Sequence, residues 1–187
     1  MRIIGGEAKG RTLHFPSGSK ERPTSDFLRE ALFNLLGSLQ NKAFLDLFAG
    51  SGSVGLEAAS RGAQGVYFIE KNKHLGEVIK KNIQTCCFGI KCRIIAGDIE
   101  FGLRDLFRKK YEFDIIFADP PYNRNLVEAT LKFLSRYHVL RKDGIIIIQH
   151  SIKETFSELD DNIYKTDQRK YGDNTLTFLK WSGNDTG

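Results

Sequence analysis

The sequence predicts an α/β protein whose doubly wound, mostly parallel sheet of seven strands ends in an antiparallel hairpin. From residue 43 onward, short apolar runs alternate with segments that can form helices. Strands separated by helices imply right-handed crossovers and therefore a parallel sheet. Near the carboxyl terminus, two strand-like stretches flank the turn cluster YGDN at residues 171–174. We therefore expect the sheet to close with a hairpin there.

The composition excludes several classes of protein before any motif is considered. The 187-residue chain has 41% hydrophobic residues and contains 14 Phe, 6 Tyr and 1 Trp, which can form a core and argue against intrinsic disorder. No apolar stretch approaches the roughly 20 residues that span a bilayer, and the amino terminus becomes polar too early for a secretory signal. The three cysteines and four histidines lack metal-ligand spacing. We expect a cytoplasmic protein without a membrane or metal partner, and we take it to be a monomer.

The first 40 residues are expected to form an extension packed on a main domain of residues 41–182, with a polar tail at 183–187. The first 16 residues alternate around glycines, as in a small twisted hairpin or loop pair. The net charge is +5, and residues 1–22 contribute +3 of it through five cations and two anions. These residues are Arg2, Lys9, Arg11, Lys20 and Arg22 against Glu7 and Glu21. A basic segment of this kind fits a nucleic-acid partner, although a solvated surface has the same composition.

Capping residues and periodicity predict the element boundaries. The stretch RPTSD at residues 22–26 is typical of a helix start. Apolar residues then recur at helical spacing from Phe27 to Leu36, and Gly37 can end this helix. The predicted strands of the main domain lie at 44–48, 65–70, 92–96, 113–118 and 144–149. The predicted helices between them lie at 53–61, 73–84, 99–109 and 125–136, and the closing hairpin pairs 162–170 with 175–181.

A glycine-rich turn follows the first strand of the main domain. The stretch GSGSVG at residues 50–55 opens a helix, whose N-terminal amides can bind an anion. Asp46 stands four residues earlier, at the end of the strand, where a carboxylate repels a pyrophosphate but favours an ammonium group. S-adenosylmethionine carries an ammonium and a carboxylate at one end. Asp46 and the amides of residues 50–52 can therefore bind both groups.

Two further acids follow the next two strands. Glu70 ends the second strand, where a carboxylate can accept hydrogen bonds from both ribose hydroxyls, as it also does in NAD-binding folds. Asp98 follows the third strand and can accept from an adenine amino group or cap the next helix. The residues predicted to bind the cofactor are Asp46, Phe48, Ala49, Gly50, Ser51, Gly52, Glu70, Lys71, Asp98 and Ile99.

The turn Asp119-Pro120-Pro121-Tyr122 directly follows a buried strand and predicts amine chemistry. The prolines hold φ and lack N–H donors, so the carbonyls of this turn require outside donors. An exocyclic amine on a base is a poor nucleophile because its lone pair is delocalised into the ring. If Asp119 Oδ and the Pro120 carbonyl accept its two hydrogens, the lone pair turns toward a sulfonium methyl. Tyr122 would stack on the base, and the base would leave its own stack to reach the turn.

Several stretches together resemble a known family. DLFAGSG at residues 46–52 and DPPY at 119–122 resemble motifs I and IV of class I amino-methyltransferases. The more specific blocks are RIIGG at residues 2–6, KGR at 9–11, RPTSD at 22–26 and REALFN at 29–34. With these blocks the chain resembles the bacterial RsmD family, whose members methylate guanine N2 in 16S rRNA of the small ribosomal subunit. The resemblance extends from residue 2 to about residue 150.

The resemblance implies a Rossmann-like class I methyltransferase fold with S-adenosylmethionine as the cofactor and 16S rRNA, in an assembled or assembling small subunit, as the partner. It implies that residues 46–52, Glu70 and Asp98 bind the cofactor and that residues 119–122 hold the target base. The basic residues expected to engage RNA are Arg2, Lys9, Arg11, Lys20, Arg22 and Arg29. The chain departs from the family at Phe27, where arginine is usual, and at Asn72, where aspartate is common.

Other functions remain open at this point. The turn at residues 119–122 can present any exocyclic amine, so N6-adenine methylation of DNA or RNA is an alternative. A 187-residue chain has little room for a separate target-recognition domain, which counts against a sequence-specific DNA enzyme. A non-catalytic RNA-binding assembly factor could retain the fold, but the intact turn argues against it. A nicotinamide oxidoreductase is disfavoured by Asp46 and leaves the turn unexplained.

Overall fold

The computed structural model describes residues 1–16, 24–121, 126–154 and 162–182. The helices are α1 (Asp26–Leu36), α2 (Ser53–Ser60), α3 (Lys73–Cys86), α4 (Ile99–Arg108) and α5 (Leu126–Arg136). The strands are β1 (Ala43–Asp46), β2 (Gly65–Glu70), β3 (Cys92–Ala96), β4 (Phe113–Ala118), β5 (Leu140–Ser151), β6 (Ile163–Tyr171) and β7 (Asn174–Trp181). Within the described ranges, no helix is long and apolar enough to cross a membrane.

The seven strands follow the order β3-β2-β1-β4-β5-β7-β6. The pairs β1–β2, β2–β3 and β4–β5 are parallel, whereas β5–β7 and β6–β7 are antiparallel. Tyr171 pairs with Asn174 at the hairpin end, and Gly172 between them has φ +59°, as tight hairpin turns require. The predicted mostly parallel sheet with a closing hairpin is confirmed.

Most predicted boundaries agree with the structure to within two residues, and two of the differences have a clear structural cause. β1 ends at Asp46 rather than residue 48, because the chain leaves the sheet for the glycine turn, where Gly52 N donates to Ala49 O at 2.7 Å. β5 begins at Leu140 rather than residue 144, because Leu140 already pairs with Phe113 at the start of β4. The glycine turn therefore determines where β1 ends, and pairing with β4 determines where β5 begins.

The chain forms two compact units, Met1–Asp98 and Ile99–Gly187. The first unit contains the amino-terminal residues, α1, the parallel strands β1–β3 and the helices α2 and α3. The second unit contains β4–β7 with α4 and α5. Each unit has its own buried apolar side chains, including Phe44 and Phe68 in the first and Ile147 and Leu179 in the second.

Residues 1–16 form a loop pair with a single antiparallel bridge, between Arg2 and Thr12. Its docking on α2 depends on Glu57, which is fully buried. The Glu57 carboxylate accepts from Ile4 N and Gly5 N, both at 2.8 Å, and from Arg61 Nε at 2.7 Å. Burying this carboxylate is tolerated because each contact is a charge-assisted hydrogen bond. The amino-terminal residues are thus part of the first unit's core.

Gly6 shows why this docking demands glycine. Its φ is +75°, and a Cβ at this position would lie 1.9 Å from the carbonyl oxygen of Ser60 in α2. That oxygen accepts a hydrogen bond from Glu7 N at 2.8 Å, so it cannot move without breaking the docking. The alternation around glycines seen in the sequence therefore reflects close backbone approach to a helix.

Helix α1 begins after Ser25, whose side chain accepts from Leu28 N, as the helix-start pattern predicts. Its buried face contains Leu28, Arg29, Leu32 and Phe33. Phe27, predicted on the apolar face, is 68% exposed. The buried side of this helix therefore contains a cation, Arg29, whereas Phe27 is exposed.

A buried histidine lies in the second unit, where β5 pairs with β7. His150 Nδ1 lies 2.9 Å from the Ser151 carbonyl oxygen and Nε2 lies 2.8 Å from Thr177 Oγ1. A carbonyl can only accept, so the neutral ring carries its proton on Nδ1 and accepts from the Thr177 hydroxyl at Nε2. Gln168 Nε2 donates to the same hydroxyl at 3.1 Å. Burial lowers the pKa of His150 below its usual value of 6.5.

The protein should therefore lose stability as pH falls from about 7 to about 5. The unfolded chain takes up a proton at His150 near the usual pKa, whereas the folded chain does so only at lower pH, so acid favours unfolding. Urea midpoints measured across this range check the direction. His150→Gln should reduce the pH dependence, and His74→Gln, at an exposed position of α3, should leave it unchanged. An equal pH dependence in wild type and His150→Gln would contradict this role.

Candidate active site

The glycine turn after β1 leaves the start of α2 open to a ligand. Gly50 and Gly52 have φ +55° and +80°, the left-handed region that glycine adopts without cost. α2 begins after Gly52 with no side-chain cap, whereas Ser25 caps α1 and Asn72 caps α3. A helix start of this kind offers backbone amides to an anionic group.

The third glycine of the turn has a packing role. A Cβ on Gly55 would lie 2.3 Å from Phe68 Cε1 and 3.0 Å from Val66 Cγ1. Both neighbours belong to β2, so glycine lets α2 approach the sheet closely. Gly52 is also tight, since its Cβ would lie 3.3 Å from side-chain atoms of Ile79 in α3. These are the roles that glycines take in nucleotide-binding turns of doubly wound folds.

The two predicted acids support this turn from β1 and β2. Asp46 is buried, with 1% exposure, and its Oδ2 accepts from Gly55 N at 3.2 Å. Glu70 is half-buried and accepts from Gly50 N at 2.8 Å and from Asn72 N at 2.7 Å, one on each carboxylate oxygen. The structure therefore brings Asp46, Glu70 and the glycine turn together in the first unit.

The other predicted cofactor residues differ in position. Phe48 is half-buried, Ala49 and Ser51 are buried, and Lys71 is exposed. Gly97 N donates to Glu70 O at 3.1 Å, which places the loop after β3 beside the end of β2. Asp98 is exposed and directly precedes α4. Ile99 is half-buried and is the first residue of the second unit.

These residues fit S-adenosylmethionine. A ligand with a carboxylate matches the positive end of α2, whose N-cap residue Gly52 has no side chain to cap it. Each carboxylate oxygen has two lone-pair sites, so Glu70 can keep both amide contacts and still accept from ribose hydroxyls. Among the residues with described positions, no cluster of three or more His, Cys, Asp or Glu residues could hold a metal ion.

Asn82 is a polar residue at the glycine turn that belongs to none of the sequence motifs. It is fully buried in α3, and its Nδ2 donates to Ser51 O at 2.9 Å. The signal was present in the sequence, because Asn82 shares the apolar face of α3 with Leu75, Ile79 and Ile83. A polar side chain on such a face needs buried partners.

The proline turn lies in the second unit, at the carboxyl end of β4. The strand is almost entirely buried up to Ala118. Asp119 is then half-buried, Pro120 buried and Pro121 exposed. Tyr122 lies outside the described residues. The buried strand β4 therefore fixes the positions of Asp119 and Pro120.

The basic residues expected to engage RNA divide into three groups. Arg2, Lys9 and Arg11 are exposed in the amino-terminal loop pair, and Arg11 Nη1 donates to Thr85 O at 2.7 Å. Lys20 and Arg22 lie outside the described residues. Arg29 does not fit the expectation, as its contacts show.

Arg29 is a correction to the predicted RNA-binding set. Its side chain is completely buried, and Nη2 donates to Arg2 O at 2.6 Å and to Asp26 Oδ1 at 3.0 Å. Nη1 lies 3.4 Å from its acceptor, Thr24 O. Burial lowers the pKa of Arg29, partly offset by Asp26 and Glu57. Arg29 therefore joins α1 to the amino-terminal loop pair, and its guanidinium is not available to a phosphate.

The departure from the family at Asn72 is structurally mild. Asn72 Oδ1 accepts from His74 N at 2.9 Å and from Leu75 N at 3.4 Å. An aspartate would cap α3 in the same way, because its carboxylate also accepts from these amides. The capping role is thus kept with either residue.

A parallel sheet that closes with an antiparallel hairpin, with a glycine turn after its first strand, is the architecture of class I methyltransferases. The chain is an S-adenosylmethionine-dependent methyltransferase of this class. Its sequence matches a family model described as "Conserved hypothetical protein 95" over residues 1–180. The chain belongs to the ribosomal RNA small subunit methyltransferase D family.

Individual relatives support the same assignment. "Ribosomal RNA small subunit methyltransferase D" of Escherichia coli K12 is 36% identical over 154 residues, which are 82% of this chain and 76% of the relative. "Putative rRNA methyltransferase YlbH" of Bacillus subtilis is 32% identical over 184 residues, which are 98% of this chain and all of the relative. The solved structure "Putative methyltransferase yhhF from Escherichia coli" has a TM-score of 0.86 at 29% identity and covers 98% of this chain and 99% of that one.

Proposed function

We propose that this protein methylates the exocyclic N2 amine of a specific guanine in 16S rRNA of the small ribosomal subunit. The observation that carries the proposal is the turn after β4, where Asp119 and Pro120 follow a buried strand. The relatives of the chain support RNA as the class of substrate, since a 36% identical protein is named for small-subunit rRNA methylation. The exposed basic residues of the amino-terminal loop pair would contribute sequence-independent affinity for phosphate.

The turn would make the amine reactive by orienting it. When bound, S-adenosylmethionine supplies an electrophilic methyl group on its sulfonium. Asp119 Oδ and the Pro120 carbonyl accept one amine hydrogen each, which aligns the nitrogen lone pair with the methyl group. Tyr122 would hold the plane of the base by stacking. The methylated nitrogen carries an excess proton and loses it readily, so the site needs little general-base strength.

Residues of the first unit would make most of the contacts with the cofactor. Asp46 favours the ammonium group, and the positive end of α2 favours the carboxylate, while Glu70 accepts from the ribose hydroxyls. The amides of Gly50 and Gly52 shape the turn instead, since they already donate to Glu70 and to Ala49 O. Asp98 is proposed to accept from the adenine amino group. Lys71 and Ile99 complete the proposed set as neighbours of Glu70 and Asp98 in the chain.

Glu70→Gln should raise the dissociation constant for S-adenosylmethionine about tenfold. The new amide nitrogen must face Gly50 N or Asn72 N, both of which are donors, and it cannot accept from a ribose hydroxyl. Isothermal titration of the purified protein measures the change. Glu77→Gln, at an exposed position of the following helix, is the matched control and should bind like wild type. An unchanged affinity for S-adenosylmethionine in Glu70→Gln would show that Glu70 does not bind the cofactor.

A strain that lacks this protein tests the proposed substrate. Its 16S rRNA should lose one N2-methylguanosine, measured by mass spectrometry of nucleosides and mapped to one oligonucleotide. Expression of the wild-type protein should restore the modification. Loss of an N6-methyladenosine instead, with N2-methylguanosine unchanged, would overturn the guanine assignment. No lost methylation in any RNA would favour a non-catalytic assembly factor.

A further inference from the structure

Asn82 joins two loops that the proposed function uses for different purposes. Its carboxamide makes three hydrogen bonds within the first unit. Nδ2 donates to Ser51 O at 2.9 Å and to His14 O at 3.0 Å, and Oδ1 accepts from His14 N at 2.7 Å. Ser51 belongs to the proposed cofactor-binding turn, and His14 belongs to the amino-terminal loop pair. One side chain therefore contacts both.

The positions of the Ser51 and His14 backbone groups depend on the Asn82 carboxamide. Residues 14 and 51 lie in neither a helix nor a strand, so sheet and helix hydrogen bonds do not hold these backbone groups. Asn82 is fully buried, and a buried amide keeps its geometry because each lost partner leaves an unsatisfied polar group. A displacement of His14 would thus shift the Asn82 carboxamide and with it the Ser51 carbonyl. A displacement of Ser51 would shift His14 in the same way.

We propose that Asn82 is a positioning residue that couples RNA engagement by the amino-terminal loop pair to cofactor affinity at the glycine turn. The inference rests on the proposed function, because it takes the loop pair as the RNA-facing segment and the turn as the cofactor site. Coupling between two binding sites is reciprocal. Cofactor should therefore alter affinity for the RNA substrate by the same factor by which RNA alters affinity for the cofactor.

Ser60 offers a matched control. Its hydroxyl accepts from Ala8 N at 2.9 Å and donates to Gly5 O at 2.6 Å, and the side chain is buried. Like Asn82, it anchors the loop pair to a helix through both a donor and an acceptor. Unlike Asn82, it lies at the last residue of α2, away from the glycine turn at the start of that helix. Ser60→Ala loosens the loop pair without touching the turn.

The first test measures cofactor affinity. Asn82→Asp keeps the size and an acceptor for His14 N but removes both donors. Its dissociation constant for S-adenosylhomocysteine, which lacks the transferable methyl group, should rise about tenfold by isothermal titration. Ser60→Ala should stay within about twofold of wild type, although urea unfolding should show that both variants are destabilised. Equal affinities in the two variants would overturn the positioning role. If Asn82→Asp does not fold, Asn82→Ser serves in its place.

The second test measures coupling. Binding of undermethylated small subunits is titrated with and without saturating S-adenosylhomocysteine. Wild type and Ser60→Ala should change their affinity for the subunit when S-adenosylhomocysteine is added, and Asn82→Asp should show no change. A wild-type protein without any change, or an Asn82→Asp variant that retains the full change, would refute the coupling. Failure of the proposed function is seen separately, as wild type that binds subunits and cofactor but forms no N2-methylguanosine.

Discussion

Asp119→Ala should lower kcat for methyl transfer by about 10³-fold while leaving the affinity for S-adenosylmethionine within about twofold of wild type. The substitution removes one of the two acceptors that would align the amine, so its lone pair stays delocalised into the base. The proposed cofactor contacts of Asp46, Glu70 and the glycine turn remain in the other unit. Single-turnover transfer to undermethylated small subunits measures the rate, and isothermal titration measures the affinity.

Asp114→Ala is the matched control for this experiment. Asp114 lies in the same strand, β4, at its amino end, and accepts from Arg141 Nη1 at 2.7 Å. This ion pair is partly exposed, so its loss should have little effect on stability. Transfer by Asp114→Ala should proceed at the wild-type rate. A rate for Asp119→Ala equal to that of Asp114→Ala would contradict the assigned chemistry of the turn.

Glu57→Gln should lower the free energy of unfolding by about 3 kcal/mol. The buried carboxylate accepts from two backbone amides and from the Arg61 guanidinium. A glutamine has only one side-chain oxygen, and its NH₂ group must face one of these donors. Urea unfolding at pH 7 measures the loss, and limited proteolysis should show cleavage within residues 1–16 that is slow in wild type.

Glu77→Gln separates this effect from the loss of a surface charge. Glu77 is exposed, and its Oε2 lies 3.9 Å from Lys80 Nζ in α3, so the change should be below about 0.5 kcal/mol. Similar stability losses in the two variants would mean that Glu57 does not hold the amino-terminal residues in place. Intact docking in a strongly destabilised Glu57→Gln variant would point to the same conclusion.

Local patterns were enough to predict most of the fold. The spans of β2, β3 and β4 agree with the predicted strands at both ends, because short apolar runs bounded by polar residues leave few alternatives. The closing hairpin was predicted from a turn cluster with Gly172 at its centre. The end of β1 was less accurate because the glycine turn takes the chain out of the sheet early. The start of β5 was less accurate because it depends on pairing with Phe113 in β4, a contact distant in sequence.

Residues of the candidate site could be predicted where they follow a local sequence pattern. Residues whose role depends on packing against distant parts of the chain were missed. The glycine turn, Asp46 and Glu70 could be recognised from spacing after two strands, and the structure brings them together. Arg29 was misjudged because a cation was assumed to be exposed, whereas its contacts with Arg2 and Asp26 occur across 27 and 3 residues. Glu57 and Asn82 were missed because most of their partners are backbone groups far away in the chain, which no sequence motif marks.

Methyl transfer with a deuterated donor tests the central claim most directly. Wild-type protein is incubated with undermethylated small subunits and S-adenosylmethionine that carries a trideuteromethyl group, and the 16S rRNA is digested to nucleosides for mass spectrometry. N2-methylguanosine with three deuterium atoms should form, approaching one per subunit, and should be absent with Asp119→Ala. Label on adenine N6, or on no nucleoside while the cofactor binds, would contradict the proposed activity.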